Sequence, residues 1–261
     1  MDIGADVAPD PPVTPRDAAT VVLLRDGADG IEAFLLRRVA AMAFAGGMTV
    51  FPGGGVDAWD ADANPGWAGP APAWWAGSLG SAERLAGALV CAAVRETFEE
   101  SGVLFAGPTE GTMVEDATAH AWARKALAAR ELSFAKFLAG TELVLRSDLL
   151  RPWSNWVTPE EEPRRYDARF FVAALPEGQR ADGGTTEAED AYWRRPADAI
   201  ADWKAGRCGL LPPTWTTLAE LSNYGSVAEV MAEQREVAKV VPKVIRDGDV
   251  LRLVNDRLQR P

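Results

Sequence analysis

Two runs of β-branched and aliphatic residues, 20–24 and 31–36, flank a turn between Gly27 and Gly30 and predict a strand pair. Beyond them, residues 40–55 become glycine-rich and end in Phe51-Pro52-Gly53-Gly54-Gly55, which suits a loop whose backbone comes close to another group. Residues 58–80 combine Ala, Gly and Pro with Trp59, Trp67, Trp74 and Trp75, and read as an inserted loop with a small aromatic core of its own. Residues 81–101 have helical composition, Gly102 supplies a stop, and 103–105 extend beyond it. The same reasoning predicts a helix over 114–138, strands near 143–150 and 168–175, and short helices over 196–205 and 213–223. A terminal hairpin is expected within 240–254, around Asp247-Gly248-Asp249. The proline-rich first fifteen residues read as a mobile arm, and no internal repeat is present.

Composition narrows the class. With 261 residues, 48% of them hydrophobic and 25% charged, the chain can bury a sizeable core. The expected organisation is a disordered arm (1–16), one elaborated domain (17–225, insertion at about 58–80) and an extension (226–261) packed on that domain. A formal net charge of -11 argues against nucleic acid or an anionic membrane as partner, since phosphate attraction needs a basic surface. No apolar run reaches the length of a membrane span and the first residues lack a secretory pattern, so a soluble cytoplasmic protein is expected. Cys91, Cys208 and a single histidine, His120, leave almost no material for histidine-centred triads or zinc sites. Cys91 reads as packed and His120 as structural or exposed. Acid/base and metal chemistry must come from carboxylates.

The informative stretch is Arg95-Glu96-Thr97-Phe98-Glu99-Glu100-Ser101-Gly102-Val103. Glu96, Glu99 and Glu100 fall at i, i+3 and i+4 and share one helical face. Three carboxylates so close repel unless something positive sits among them, and hard cations such as Mg²⁺ take oxygen ligands. Arg95, four residues before Glu99, is placed to hold that carboxylate by an ion pair. Acidic pairs on solvated helix faces are common. The glycine stop behind these residues, and the upstream glycine loop with its backbone carbonyls, favour a metal platform instead.

These residues resemble the Nudix family, whose box reads G-x5-E-x7-R-E-U-x-E-E-x-G-U, U being a bulky aliphatic residue. Arg95, Glu96, Glu99, Glu100, Gly102 and Val103 fit its second half, with Phe98 in place of an aliphatic residue, and Gly54 fits its first glycine. Gly54 stands 41 positions before Arg95, which implies an insertion of 27 residues inside the box. Counting from Gly54, Asp60 occupies the place of the first Glu; counting back from Arg95, Gly87 does. An interrupted box is similar to that of the Nudix-type motif 19-like branch. Phe34-Leu35-Leu36-Arg37-Arg38, Phe44-Ala45-Gly46-Gly47, Trp156-Val157-Thr158-Pro159, residues 164–171 and Leu211-Pro212-Pro213-Thr214 agree with that branch, so the resemblance covers about residues 18–225.

The resemblance implies an α/β Nudix fold, a mixed sheet sandwiched between helices, with an inserted loop and a C-terminal extension. It implies that Glu96, Glu99 and Glu100, with the Gly54 carbonyl, bind Mg²⁺ or Mn²⁺ against a diphosphate. Metal ions would neutralise the phosphates, polarise phosphorus and ease deprotonation of the attacking water. Glu99 or Glu100, with Arg95 orienting them, or a carboxylate of Glu160-Glu161-Glu162, is expected as base. The branch further implies coenzyme A or an acyl-coenzyme A as substrate, cleaved to adenosine 3',5'-bisphosphate and a phosphopantetheine. Another nucleoside diphosphate derivative (an ADP-sugar, NADH or a dinucleotide) and a nucleotide-binding regulator without turnover are the alternatives. Arg37, Arg38, Arg164, Arg165 and Arg169 are candidate anion contacts. The tryptophans would pack the insertion on the core, stack on an adenine or line a pantetheine groove. A short Gly/Ser linker in place of residues 62–77 is expected to leave a folded protein. The partner is a small nucleotide diphosphate, and a homodimer is left open.

Overall fold

Alternation in the first strand pair sets the layers of the computed structural model, which describes residues 11–42, 44–62, 65–247 and 250–254. Strands β1 (Arg16–Gly27) and β2 (Gly30–Arg38) form the expected antiparallel hairpin, closed where Gly27 faces Gly30. Successive side chains of a strand point to opposite faces. Val21, Leu23, Phe34 and Leu36 therefore go to one core, Val22, Leu24, Ala33 and Leu35 to another, and all eight are buried. A sheet apolar on both faces must be covered on both.

The chain supplies that cover in two instalments. After β2 come β3 (Met48–Val50), β4 (Gly53–Gly55), α1 (Ala58–Asp62), β5 (Trp67–Ala68), α2 (Pro72–Leu79) and the long α3 (Glu83–Ser101). Next are β6 (Ala106–Gly107), α4 (Ala121–Ala128), α5 (Phe134–Gly140), β7 (Val144–Arg146), β8 (Leu150–Val157) and β9 (Tyr166–Ala174). The rest is β10 (Ala188–Arg194), α6 (Pro196–Lys204), β11 (Gly209–Leu210), α7 (Pro212–Leu221), α8 (Val227–Ala232), β12 (Lys239–Val240), β13 (Lys243–Asp247) and β14 (Val250–Val254). The main sheet runs β11-β3-β2-β1-β9-β8-β12, with β10 also on β2 and β4 on β1. It is mixed, β1 and β9 being parallel while β1–β2 and β8–β9 are antiparallel. Helices α2 to α5 close one face and α6 to α8 the other. This is the expected mixed sheet between helices. No helix among the described residues is long and apolar enough to cross a membrane.

Several segments depart from the sequence reading. The helix expected over 114–138 is broken into a 3-10 turn (Ala117–His120), α4 and α5. The chain turns left-handed at Arg130 (φ 57°), and Ser133 restarts a helix by accepting the Lys136 N–H. The strand expected over 143–150 is interrupted by a 3-10 turn at Ser147–Leu149. Strands β13 and β14 pair as the terminal hairpin, with residues 248–249 of its turn outside the described residues. Of the N-terminal arm, residues 1–10 lie outside them too, Arg16 already belongs to β1, and the Val13 carbonyl accepts from Arg165 Nη1.

The insertion does not carry an aromatic core of its own. Trp75 is fully buried in the main core, with its ring edge-on to Phe171 of β9 at 5.7 Å. β5 pairs with β7, and the Ala68 carbonyl accepts from Ser147 Oγ at 2.8 Å. Removing residues 62–77 would thus open the main core, and losing a buried tryptophan alone costs roughly 3–5 kcal/mol. The linker expectation is corrected accordingly. Trp59 and Trp74 are half exposed.

Candidate active site

The first half of α3 is a core helix, with Leu89, Val90, Ala93 and Val94 inaccessible to solvent. Its last two turns reach the edge of β4 and end at Gly102, whose left-handed φ of 74° lets its N–H close on the Phe98 carbonyl. Arg95, 7% exposed, is the centre of the site. Its Nη1 donates to Glu96 Oε1 (2.8 Å) and Glu99 Oε1 (3.1 Å). Its Nε and Nη2 donate to Asp60 Oδ1 (3.0 Å) and Oδ2 (2.8 Å), and Nη2 also to the Gly55 carbonyl (3.0 Å). The ion pair expected between Arg95 and Glu99 is formed.

Asp60 is 4% exposed, and its Oδ2 also takes the Asp57 N–H at 2.9 Å. Asp60 and Arg95 lie 35 positions apart, so the fold rejoins two residues that the insertion separates. Gly87, the other position that counting offers, lies within α3 and carries no carboxylate. The acidic group facing Arg95 is therefore Asp60.

Glu100 turns inward. Its Oε2 accepts the Gly53 N–H at 2.8 Å, and its Oε1 lies 3.8 Å from Arg38 Nη1. The glycine run has a steric reason: a Cβ on Gly54 would stand 2.5 Å from Glu96 Oε1, and one on Gly53 2.5 Å from the Ala19 carbonyl. Arg38 also pairs through Nη2 with Glu187 Oε2 at 2.8 Å, and its buried Nε has no partner. Strand alternation explains why Arg38 and not Arg37 reaches this place. Arg38 follows the parity of Phe34 and Leu36, on the α3 side, whereas Arg37 follows Leu35 and pairs with Glu189, half exposed.

The remaining candidate arginines are not brought to the carboxylates. Arg164 is exposed. Arg165 is buried and donates to the Thr158 and Val13 carbonyls, and Arg169 is buried between Asp17 and Asp167. Glu160 is exposed, Glu161 holds one carboxylate oxygen out of solvent without a partner, and none of residues 160–162 lines the cleft beside Glu96. His120 lies edge-on to Phe137, and Cys91 is packed with its Sγ 3.6 Å from Asp60 Oδ1.

That cleft has a volume of about 90 Å³. Asp57, Asp60, Arg95, Glu96 and Glu99 form one wall, and Leu127, Leu132 and Phe134 face them. Trp59, Arg130 and Glu187 also line it. Asp57, Arg130 and Glu187 carried no sequence signal; only the packing of α1, the α4–α5 turn and the segment before β10 brings them here.

Carboxylates outnumber guanidiniums in this space, and the titration of the site shows it. Burial pushes Glu96 up to about 7, against the stabilising pull of Arg95 and with the charge of Glu99 adding to the rise. Burial also raises Glu99, and it raises Glu100 well above the usual carboxylate range, aided by Glu96. Arg95 is held charged: burial opposes its charge, but the hydrogen bonds to Asp60 and the charges of Glu96 and Glu99 prevail. Glu96 and Glu99 turn onto Arg95, and among the described residues no three acidic, histidine or cysteine side chains converge on one point. The donor set nonetheless fits a hard divalent cation: three carboxylates on one helix face, with excess negative charge, two of which, Glu96 and Glu100, meet the glycine strand.

Comparison with known proteins agrees with this geometry. Residues 80–221 match the family model described as the NUDT19 Nudix domain. A Caenorhabditis elegans protein named "Putative nudix hydrolase 7" is 27% identical over 258 residues, covering 94% of this chain and 77% of that protein. The acyl-coenzyme A diphosphatase NUDT19 of Xenopus laevis is 26% identical over 156 residues, covering 54% of this chain and 40% of the relative, so the chain spans less than half the length of that protein. A crystal structure of a NUDIX hydrolase from Alicyclobacillus acidocaldarius superposes with a TM-score of 0.71 at 27% identity, covering 87% of this chain and 99% of the other. With the carboxylate helix, the glycine strand and the sheet all in place, the chain belongs to the Nudix hydrolases, in the group defined by the NUDT19 Nudix domain.

Proposed function

We propose that this protein is a divalent-metal-dependent diphosphatase acting on coenzyme A or an acyl-coenzyme A, giving adenosine 3',5'-bisphosphate and a phosphopantetheine. The observation that carries the reaction type is the convergence on one helix face of Glu96 and Glu99, held by Arg95, and Glu100, held by the Gly53 N–H, with Glu96 against Gly54 and an open cleft beside them. The substrate class rests on the relatives named acyl-coenzyme A diphosphatase, in Xenopus laevis and Homo sapiens, each matched over 54% of this chain.

In this reading Glu96, Glu99 and Glu100, with the Gly54 carbonyl, hold Mg²⁺ or Mn²⁺. The cation supplies charge neutralisation and polarisation of the diphosphate. The chain's own residues do the rest. Arg95, locked by Asp60, fixes the rotamers of Glu96 and Glu99. Glu99 lines the cleft with Oε1 engaged by Arg95, so Oε2 is the atom offered to the proton of the attacking water. Arg38 holds Glu100 from the far side. Leu127, Leu132 and Phe134, from α4, α5 and the turn between them, give the cleft an apolar wall beside the carboxylates.

A panel of coenzyme A, NADH, ADP-ribose and diadenosine polyphosphates, each with Mg²⁺ or Mn²⁺, read by product chromatography, tests the reading. Release of adenosine 3',5'-bisphosphate from coenzyme A, faster than cleavage of the others, is the expected result. Faster turnover of another member of the panel would replace the substrate and keep the reaction type.

A further inference from the structure

The cleft beside the carboxylates has a rim that the hydrolytic chemistry does not use. Trp59 of α1 leaves 50% of its surface exposed, although it is the chain neighbour of the buried Asp60. In the turn after α4, Arg130 adopts a left-handed conformation (φ 57°) that non-glycine residues adopt only at a cost of about 1 kcal/mol or more. Its side chain is 78% exposed and reaches only a long ion pair, Nη1 to Asp57 Oδ1 at 3.8 Å. Both residues line the same cleft as Glu96 and Glu99. Of the insertion's four tryptophans only Trp59 lines it; Trp75 is in the core and Trp67 ties its Nε1 to the Pro70 carbonyl at 2.8 Å.

We propose that Trp59 and Arg130 form the recognition rim of the site, Trp59 stacking on the flat base of a nucleotide while Arg130 contacts an adjoining phosphate. The proposal deepens the diphosphatase reading and rests on it. An indole face binds any nucleobase, and a guanidinium fork matches phosphate oxygens. The rim is preorganised. α1 is pinned by the two Asp60–Arg95 hydrogen bonds and by the Asp57 N–H to Asp60 Oδ2, so Trp59 is held beside the carboxylates before any ligand arrives. Arg130 also answers an electrostatic need. The wall carries Asp57, Asp60, Glu96 and Glu99, the Arg95 guanidinium is consumed by them, and Arg130 is the cation that faces solvent at the mouth. The insertion that interrupts the box thus gives a five-residue helix with two uses: Asp60 inward to Arg95, which positions the carboxylates, and Trp59 outward to the substrate.

The test is calorimetric binding of ADP and of inorganic pyrophosphate, both with Mg²⁺, to the wild type, Trp59→Ala, Arg130→Ala and the control Trp74→Ala. Trp74 is half exposed on α2 and does not line the cleft. Trp59→Ala should weaken ADP about thirtyfold, the middle of the range for base–aromatic stacking, and lower the preference for ADP over pyrophosphate by at least fivefold. Arg130→Ala should weaken ADP several-fold, less so as salt is raised, and Trp74→Ala should match the wild type. Thermal melts confirm that each variant is folded. Wild-type affinity for ADP in both rim variants, or equal losses for ADP and pyrophosphate in Trp59→Ala, overturns the rim and leaves the diphosphatase standing. A wild type that binds neither ligand with Mg²⁺ removes both.

Discussion

Replacing Glu96 by Gln should make the metal-free protein more stable and, by the same act, inactive. Burial keeps Glu96 protonated up to about pH 7, against an ordinary value of 4.5. Below pH 4.5 the group is protonated whether the chain is folded or not, and it costs nothing. As pH rises from 4.5 to 7 the unfolded chain gives up a proton that the folded chain retains, and folding weakens by about 1.4 kcal/mol per pH unit. Above pH 7 the loss levels off at about 3 kcal/mol. Gln carries no such proton and keeps an oxygen for Arg95 Nη1, the bond Glu96 makes at 2.8 Å. Glu96→Gln should therefore melt with the wild type near pH 4.5 and above it at pH 8, by roughly 6–12 °C at 2–4 °C per kcal/mol for a domain of this size. His120 and Asp148 titrate in both proteins and cancel in the difference, whereas Glu100, raised by burial and then by the charge of Glu96, ionises more easily in the variant and moves the gap in the same direction. Saturating Mg²⁺ should close the gap at pH 8, because a cation stabilises the ionised wild-type site and loses a ligand in the variant. Differential scanning calorimetry of chelator-treated protein across this pH range, with and without Mg²⁺, measures all of it. A gap that does not change with pH, or a variant that melts below the wild type at pH 8, refutes the reasoning.

Glu99→Gln should abolish most turnover while its melting point at neutral pH does not fall below that of the wild type, because burial raises Glu99 as well, and unchanged diphosphate cleavage would remove the carboxylate platform from the mechanism. Turnover should vanish with chelator and return with Mg²⁺ or Mn²⁺; undiminished activity after exhaustive chelation would count against a metal enzyme. Asp60→Ala leaves the buried Arg95 short of its bidentate partner and should cost about 3 kcal/mol in a denaturant titration, with a fall in kcat because Glu96 and Glu99 lose their anchor. A stability within 0.5 kcal/mol of the wild type, taken as about the spread of surface substitutions, would show that Asp60 does not hold Arg95. Trp75→Ala should destabilise by roughly 3–5 kcal/mol, as expected of a fully buried ring against Phe171, and a mild effect would return the insertion to the status of a separate loop.

Much of the fold and of the acidic face was legible because the relevant information is local. Spacing alone puts Glu96, Glu99 and Glu100 on one side of α3, glycine at 102 marks its end, and alternating aliphatic residues around Gly27 and Gly30 specify the hairpin. The break at Arg130 was not legible, since nothing in residues 114–138 excludes a continued helix and the turn is fixed by packing of α4 and α5 under α3. Glu187 lies 87 positions past Glu100 in a polar segment without pattern. Its approach to Arg38 depends on β10 pairing with β2, which no local property encodes.

The sequence by itself determined the carboxylate helix and the first hairpin, because helical and strand periodicity act over a few residues and survive any insertion elsewhere, whereas the glycine run, read as a loop, becomes a strand only by pairing with β1. Only the tertiary structure decided which residues serve them. It chose Arg38 over Arg37 through the parity of β2, sent Trp75 to the core and Trp59 to the cleft, and closed the gap from Asp60 to Arg95. Each choice turns on where two distant segments meet. A single chain pattern does not carry that information, because burial and ion pairing are properties of both partners at once.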